Sequence, residues 1–359
     1  MSDKVNINSF KNNINYYKEY EGCPPVNKTE NKEEMDRYDR QIRLWGIQLQ
    51  KRLKASNILV IGLNPLGADI CKNLVLAGIE TIDVYDDKVV TESDVNTNFL
   101  VDTVEDKTLM ESVASKLSEL NPHVKVTPEK QIKMVLETCL LNHKSEDEVD
   151  SCLNILRKYE VIVVSSLYMM TEHALQQLNL YCRIFHVGFY VANCFDYYGT
   201  IFTDFDIYSY IKLNDQDEEI LKLIKYNRRD QISIEEWLKK NKSKRQYTQN
   251  AVFILEKVLS EINKELKISD LNNVELTEKI KTIILRDYNE YKDFFNEHLF
   301  QRLINIFRNF IITMVSICSI VGGILSADVI KFISKSDSVI HNFFVFNGIT
   351  RTGTIFHIA

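Results

Sequence analysis

Three groups of residues have the types and spacing to do chemistry. The first is Gly62, Asn64 and Gly67, which follow the apolar run Asn57–Ile61. Asp86 lies about 20 residues further on, at the end of a second apolar run, Thr81–Tyr85. In a nucleotide-binding strand–turn–helix unit the first glycine makes the tight turn. The middle one lets a phosphate reach the backbone, the third lets helix and strand approach, and the acid takes a ribose hydroxyl. Here the middle position is Asn64, which puts a side chain where phosphate must come. Pro65 removes a further N–H that could have held an oxyanion. One reading is a nucleotide-binding fold whose own phosphate site is out of use; the other is a divergent but working loop. The asparagine and proline favour the first. Asp86 then either still binds a ribose or serves as a structural cap, and the compromised turn favours structure.

The second group is Arg37, Arg40 and Arg43, spaced by three so that they share one helix face. By pattern alone this is a solvated basic face. The third group is the thiols and imidazoles. Seven cysteines include no C-x-x-C pair, and none falls between Cys194 and Cys318. Cys71 reads as a small buried residue. The histidines fit no metal-ligand spacing, so no metal site is expected.

The elements that would position these residues follow from periodicity. Asp36 is expected to cap a helix containing YDRQIRLW, and Gly46 to end it. Ile47–Leu53 reads as a short helix leading to the strand Asn57–Ile61. After the glycine turn a helix runs to Gly78, and the strand Thr81–Tyr85 follows. Further on, the pattern predicts a helix over Glu105–Leu120, a weak strand at Val124–Val126 and a helix near Ile132–Leu141. The run KSEDEVD reads as a charged link. Val161–Ser165 is expected as a strand, Glu172–Tyr181 as a helix and Ile184–Gly188 as a strand, with an antiparallel extension beginning at Gly199–Thr203. Alternation of this kind implies an α/β fold, a doubly wound and mostly parallel sheet covered on both faces.

From Asp204 to about His298 the chain is charged and helix-prone. Ala251, Ile254, Leu255, Val258, Leu259 and Ile262 form a helical stripe, and NKSKRQ before it reads as a solvated loop. A long helical segment is expected from Phe300, with Gly322 and Gly323 letting it pack closely. Two strands, Phe343–Phe346 and Thr354–Ile358, are expected to close the chain. The division that follows is a flexible tail over 1–34, a Rossmann-like domain over 35–204, a helical insert over 205–299 and the returning part of the domain over 300–359.

The chain has 359 residues and a net charge of −6. That balance argues against a generic nucleic-acid binder, with a local basic patch still open. The N-terminus lacks the apolar core of a signal peptide. Phe310–Ala327 is the one long apolar run, borderline for a span of about 20 residues. A buried helix or one docking on another protein is expected, rather than a membrane segment.

Several motifs together carry a family resemblance: YDRQIRLWG at 38–46, QKRLKAS at 50–56, GLNPLGADICKNLVLAGI at 62–79, IVGGILSADVIK at 320–331 and NFFVFNG at 342–348. In this order they resemble the ThiF/MoeB-type adenylating enzymes that activate ubiquitin-like proteins, from about Arg37 to the C-terminus. Within that superfamily the chain is most similar to the smaller subunits of heterodimeric SUMO-activating enzymes, which lack the thioester-forming cysteine. Regulatory subunits of Nedd-type activating enzymes and self-sufficient sulfur-carrier-type homodimers are the alternatives. The resemblance implies that two related folds pair and only one holds ATP and Mg2+. Asn64 departs from the active pattern. So does NTNFL at 96–100, where active members carry Asn-Arg-Gln-Phe and its phosphate-holding arginine. The insert lacks the thioester-forming cysteine. Gly62, Asn64, Gly67 and Asp86 are therefore expected to be a vestigial site. The arginine of the Arg-Gln pair, Arg40, is implied to reach in trans into the partner's ATP site. The implied partners are a larger subunit carrying the cysteine, a SUMO-type modifier and a conjugating enzyme. The implied location is the nucleus, with the cytoplasm also open.

Overall fold

The computed structural model describes residues 32–104, 106–140, 145–165, 170–213, 219–229, 314–335 and 337–356, with single positions between 252 and 286. Most of the expected tail, the 251–262 stripe, the NKSKRQ run and the chain from Phe300 to residue 313 lie outside the described residues.

Apolar, branched runs form the parallel half of the main sheet. It comprises β1 (Asn57–Ile61), β2 (Thr81–Tyr85), β3 (Lys125–Pro128), β4 (Val161–Val164) and β5 (Gly188–Phe195). β6 (Tyr198–Asp204), β9 (Phe343–Asn347) and β10 (Thr352–Phe356) extend it antiparallel. The order is β10-β9-β6-β5-β4-β1-β2-β3. β1 pairs in parallel with β2 on one side and β4 on the other, so the winding reverses between β1 and β4. In doubly wound sheets that reversal opens a crevice at the carboxyl ends of the strands.

The helices cover both faces. α1 (Lys32–Trp45) and α2 (Ile47–Leu53) precede the sheet, and α3 (Pro65–Ala77) follows the glycine turn. α4 (Glu92–Thr97), α5 (Leu109–Leu120), α6 (Ile132–Leu140), α7 (Glu146–Leu156), α8 (Glu172–Ile184) and α9 (Val315–Ser334) complete the described set. α9 lies on one face, where Asp328 meets Tyr190 of β5. α8 lies on the other, where Asn179 and Arg183 hold the buried Asp204 of β6. α9 is long and apolar enough to cross a membrane, with mean hydropathy 1.7, but 61% of that stretch is buried inside the protein. It packs along α3, and Ser319 donates to the buried Asp69 at 2.7 Å. Gly322 permits this approach, since a Cβ there would lie 3.1 Å from that of Asp69.

Several expectations are corrected. Asp36 does not cap α1, which begins at Lys32 and contains it. α5 starts at Leu109, where Glu111 accepts from the Thr108 N–H, rather than at Glu105. The KSEDEVD link belongs largely to α7, whose start is a capping box: Ser145 Oγ takes the Glu148 N–H and Glu148 takes the Ser145 N–H. Ile184 ends α8, and the following strand runs over 188–195 instead of 184–188. The insert does not open as helix: β7 (Ile207–Leu213) and β8 (Glu219–Lys225) form an antiparallel hairpin. Gly323 faces open space, so only Gly322 serves close packing.

Candidate functional site

The glycine turn sits where the winding reverses. β1 ends at Ile61, and Gly62 turns the chain with φ +90°, a conformation that favours glycine. Gly67 is required by crowding: a Cβ there would lie 2.2 Å from the Gly62 carbonyl oxygen and 2.7 Å from Ser165 Oγ. Gly62 thus serves the turn, and Gly67 the close approach of helix and strand.

Asn64 occupies the place between them and is the N-cap of α3. Its Oδ1 accepts from the Gly67 N–H at 2.9 Å, and its Nδ2 donates to the Ser165 carbonyl at 2.8 Å. A helix start attracts phosphate because its first N–H groups have no internal partner. Here Pro65, at the first helical position, has no N–H to offer, and the N–H of Gly67 is already held. Ser165, at the carboxyl end of β4, closes the other side of the crevice by donating to the Gly62 carbonyl at 2.6 Å.

Asp86 and Asn98 grip the same turn from β2 and α4. The Asp86 carboxylate accepts from the N–H of Leu63 at 2.8 Å and that of Lys88 at 3.1 Å. Burial pushes this carboxyl above its ordinary range, against the pull of those two N–H donors. Asn98 donates to the Leu63 carbonyl at 2.8 Å and accepts from the Leu100 N–H. Thr97 donates to the Ser93 carbonyl. The lysines of this region are paired: Lys72 with Asp69 while lying over the Phe99 ring, and Lys88 with Asp94.

Arg40 lies elsewhere. α1 is anchored by Tyr38, whose ring packs on Gly78 and whose hydroxyl accepts from Asn121 at 2.7 Å. Gly78 caps the carboxyl end of α3 in the left-handed conformation. The glycine turn is at the other end of that helix, 13 residues and so about 20 Å away. The three arginines are used differently. Arg37 donates to Asn121 Oδ1 and Arg43 to Asp39. Arg40 is exposed and has no hydrogen-bond or ion-pair partner among the described residues.

The structure therefore brings Gly62, Asn64, Gly67 and Asp86 together and sets Arg40 apart from them. Sequence reasoning missed Ser165 and the grip of Asn98. The position of Ser165 just beyond a strand at the winding reversal was the available signal. The six cysteines of the described residues are buried. Burial pushes the thiols of Cys71, Cys182 and Cys194 well up, so none of those three is poised as a thiolate. No metal-holding cluster of His, Cys, Asp or Glu occurs among the described residues.

The chain is similar to known proteins over most of its length. The ThiF family model matches residues 38–359. The chain is 28% identical over 327 residues to SUMO-activating enzyme subunit 1 of Dictyostelium discoideum, covering 89% of this chain and 91% of that one. It is 28% identical to SUMO-activating enzyme subunit 1A of Arabidopsis thaliana, covering 90% and 94%. It is 27% identical to the DNA damage tolerance protein rad31 of Schizosaccharomyces pombe, covering 91% and 98%. Among solved structures, a crystal structure of E. coli MccB with succinimide shares the fold, with TM-score 0.52 and 14% identity over 90% of this chain and 71% of that one.

Proposed function

The chain belongs to the ThiF family, and from that premise we propose that it is the regulatory subunit of a heterodimeric SUMO-activating enzyme. Two of the relatives above are named SUMO-activating enzyme subunit 1 and subunit 1A, and the match runs over nearly their whole length. With a larger subunit that holds ATP, Mg2+ and the reactive cysteine, it supports adenylation of the modifier's C-terminal glycine. In that reaction the glycine carboxylate attacks the α-phosphorus of ATP, and the bond to the β-phosphate breaks. Pyrophosphate leaves and an acyl adenylate remains. A cysteine thiolate of the larger subunit then takes the acyl group, AMP leaves, and the modifier passes to a conjugating enzyme.

The part assigned to this chain is one positive side chain. Negative charge shifts towards the leaving pyrophosphate as the bond breaks, and a fixed guanidinium stabilises it. The observation that supports this role is that Arg40 is exposed and has no hydrogen-bond or ion-pair partner among the described residues, on a helix whose Tyr38 packs on Gly78 at the far end of α3 from the turn. An exposed arginine of this kind is available to a nucleotide held by another subunit. Asn64, Asp86 and Asn98 meanwhile commit the local turn to internal hydrogen bonds.

The test is modifier-dependent ATP–pyrophosphate exchange. The chain alone is expected to give none, and the mixture with the larger subunit to give it. Arg40→Ala should leave the heterodimer assembled and slow exchange by about 10²-fold, the usual loss for one preorganised donor. Exchange by the isolated chain, or an Arg40→Ala heterodimer at wild-type rate, would overturn the assignment. A nuclear location belongs to the same reading, and fractionation of cells that express the tagged full chain tests it.

A further inference from the structure

The hairpin β7–β8 is a two-stranded sheet of its own. Its inner face is fixed: Tyr208 is buried, stacks on Phe332 and donates to the Asp337 carbonyl at 3.0 Å. Its outer face is aliphatic. Side chains alternate along a strand, so Ile207, Ile211, Leu221 and Leu223 share the face opposite Tyr208. Of these, Ile207, Ile211 and Leu223 are 59%, 48% and 52% exposed. The two edges of the hairpin differ. The Tyr226 N–H bonds to the Asp206 carbonyl, which sets the alternation of the ladder. Tyr208 and Ile224 then exchange hydrogen bonds, as do Tyr210 and Lys222, and the residues between them point N–H and C=O outward. On β7 the outward edge is met, since Ile211 donates to the Lys335 carbonyl at 3.3 Å. On β8 the Lys225 carbonyl is met by His341 Nε2 at 2.9 Å. The N–H and C=O groups of Leu221 and Leu223 have no partner among the described residues. Beside them Lys222 is exposed and has no ion-pair partner among the described residues.

We propose that the outer edge of β8 takes an extended acidic segment of another protein as a third strand. The main chain gives the first reason. Unpaired N–H and C=O groups along a strand edge are a template for a further strand, and a two-stranded ribbon gains stability from one. The side chains give the second. A strand laid beside Leu221 and Leu223 puts every other side chain on their face, where apolar residues cover the open aliphatics. The side chains between fall on the face of Lys222, and a carboxylate there meets its ammonium group as a cross-strand pair. The fitting segment therefore alternates apolar and acidic residues. A lysine on an edge can instead guard against pairing. A guarded edge does not call for an aliphatic outer face, and this hairpin has one. The inference stands on the hairpin alone and is independent of the role given to Arg40.

The experiment titrates the purified full chain against a fluorescein-labelled probe, Glu-Val-Glu-Val-Glu-Val-Glu, and reads fluorescence anisotropy. Saturable binding is expected. The same peptide N-methylated at every residue cannot donate along a strand edge and should not bind. Leu223→Ser should weaken the probe about tenfold or more, the effect of losing one covered leucine. Lys222→Glu should weaken it about fivefold, because a like charge replaces the pair. Both side chains face solvent, so the melting temperature of each variant should stay near that of wild type. Absence of saturable binding would overturn the proposal and leave Lys222 as a guard of the edge. Equal binding of the N-methylated peptide would show that no strand is added. Binding within twofold of wild type by both variants would place the probe elsewhere and refute the site.

Discussion

At the scale of single residues, one amide closes the turn after β1. Asn64 performs for the start of α3 what a bound phosphate would perform, because its oxygen satisfies the Gly67 N–H. Asn64→Ala should therefore lower stability by about 1 kcal/mol, the usual worth of an N-cap. Asn64→Gly should lower it by only a few tenths, because glycine is itself a tolerated cap. The glycine variant recreates the fingerprint, yet should still bind no ATP: Pro65 still lacks an N–H, and Asp86 and Asn98 still hold Leu63. Thermal unfolding of both variants, with and without Mg-ATP, checks the pair of outcomes. The loss of the middle glycine was legible in the sequence. The second bond of Asn64, to Ser165, was not, because that residue is 101 positions away in the chain.

At the scale of elements, α9 carries two predictions. Asp328 is buried and accepts from the Ile340 N–H and the Tyr190 hydroxyl. Burial raises its carboxyl from 3.8 to about 7 in spite of both donors. The folded state thus binds this proton more tightly than the unfolded chain does. Its contribution to stability is complete below pH 3.8 and is lost as pH rises through about 7. Asp328→Asn should remove that decline, so the stability difference between variant and wild type should change steadily over the interval and level off above it. The two glycines of the helix should also separate. Gly323→Ala meets open space and should stabilise by up to about 1 kcal/mol through helix propensity. Gly322→Leu drives a side chain into Asp69 of α3 and should cost about 1–3 kcal/mol. Chemical denaturation of the two variants is the measurement. Element types were mostly legible, because strongly apolar runs such as Val161–Val164 have one stable use in such a fold. The misses have local causes. Ile184 looks like the start of a strand, yet its side chain is 56% exposed at the end of α8. The charges of 146–150 obscured the serine–glutamate pair that starts α7.

At the scale of the whole molecule, the proposed division of labour gives the nucleotide to the larger subunit. Added Mg-ATP should leave the melting temperature of this chain unchanged. A site filled at a hundred times its dissociation constant would add about 2.7 kcal/mol, a shift easily seen, and that shift is expected only when the larger subunit is present. The sequence by itself determined which atoms are on offer. There is an asparagine in place of a glycine, a proline with no N–H, an insert without a thiol, and an arginine beside a glutamine in an early helix. It could not determine which of those atoms meet. Only the tertiary structure decided that Ser165 and Asp86 close on the turn, and that α1 docks at the opposite end of α3 from it. The physical reason is that strand order and helix packing, rather than chain proximity, decide which distant groups come within a hydrogen bond of each other. The same packing leaves Arg40 exposed, with no hydrogen-bond or ion-pair partner among the described residues.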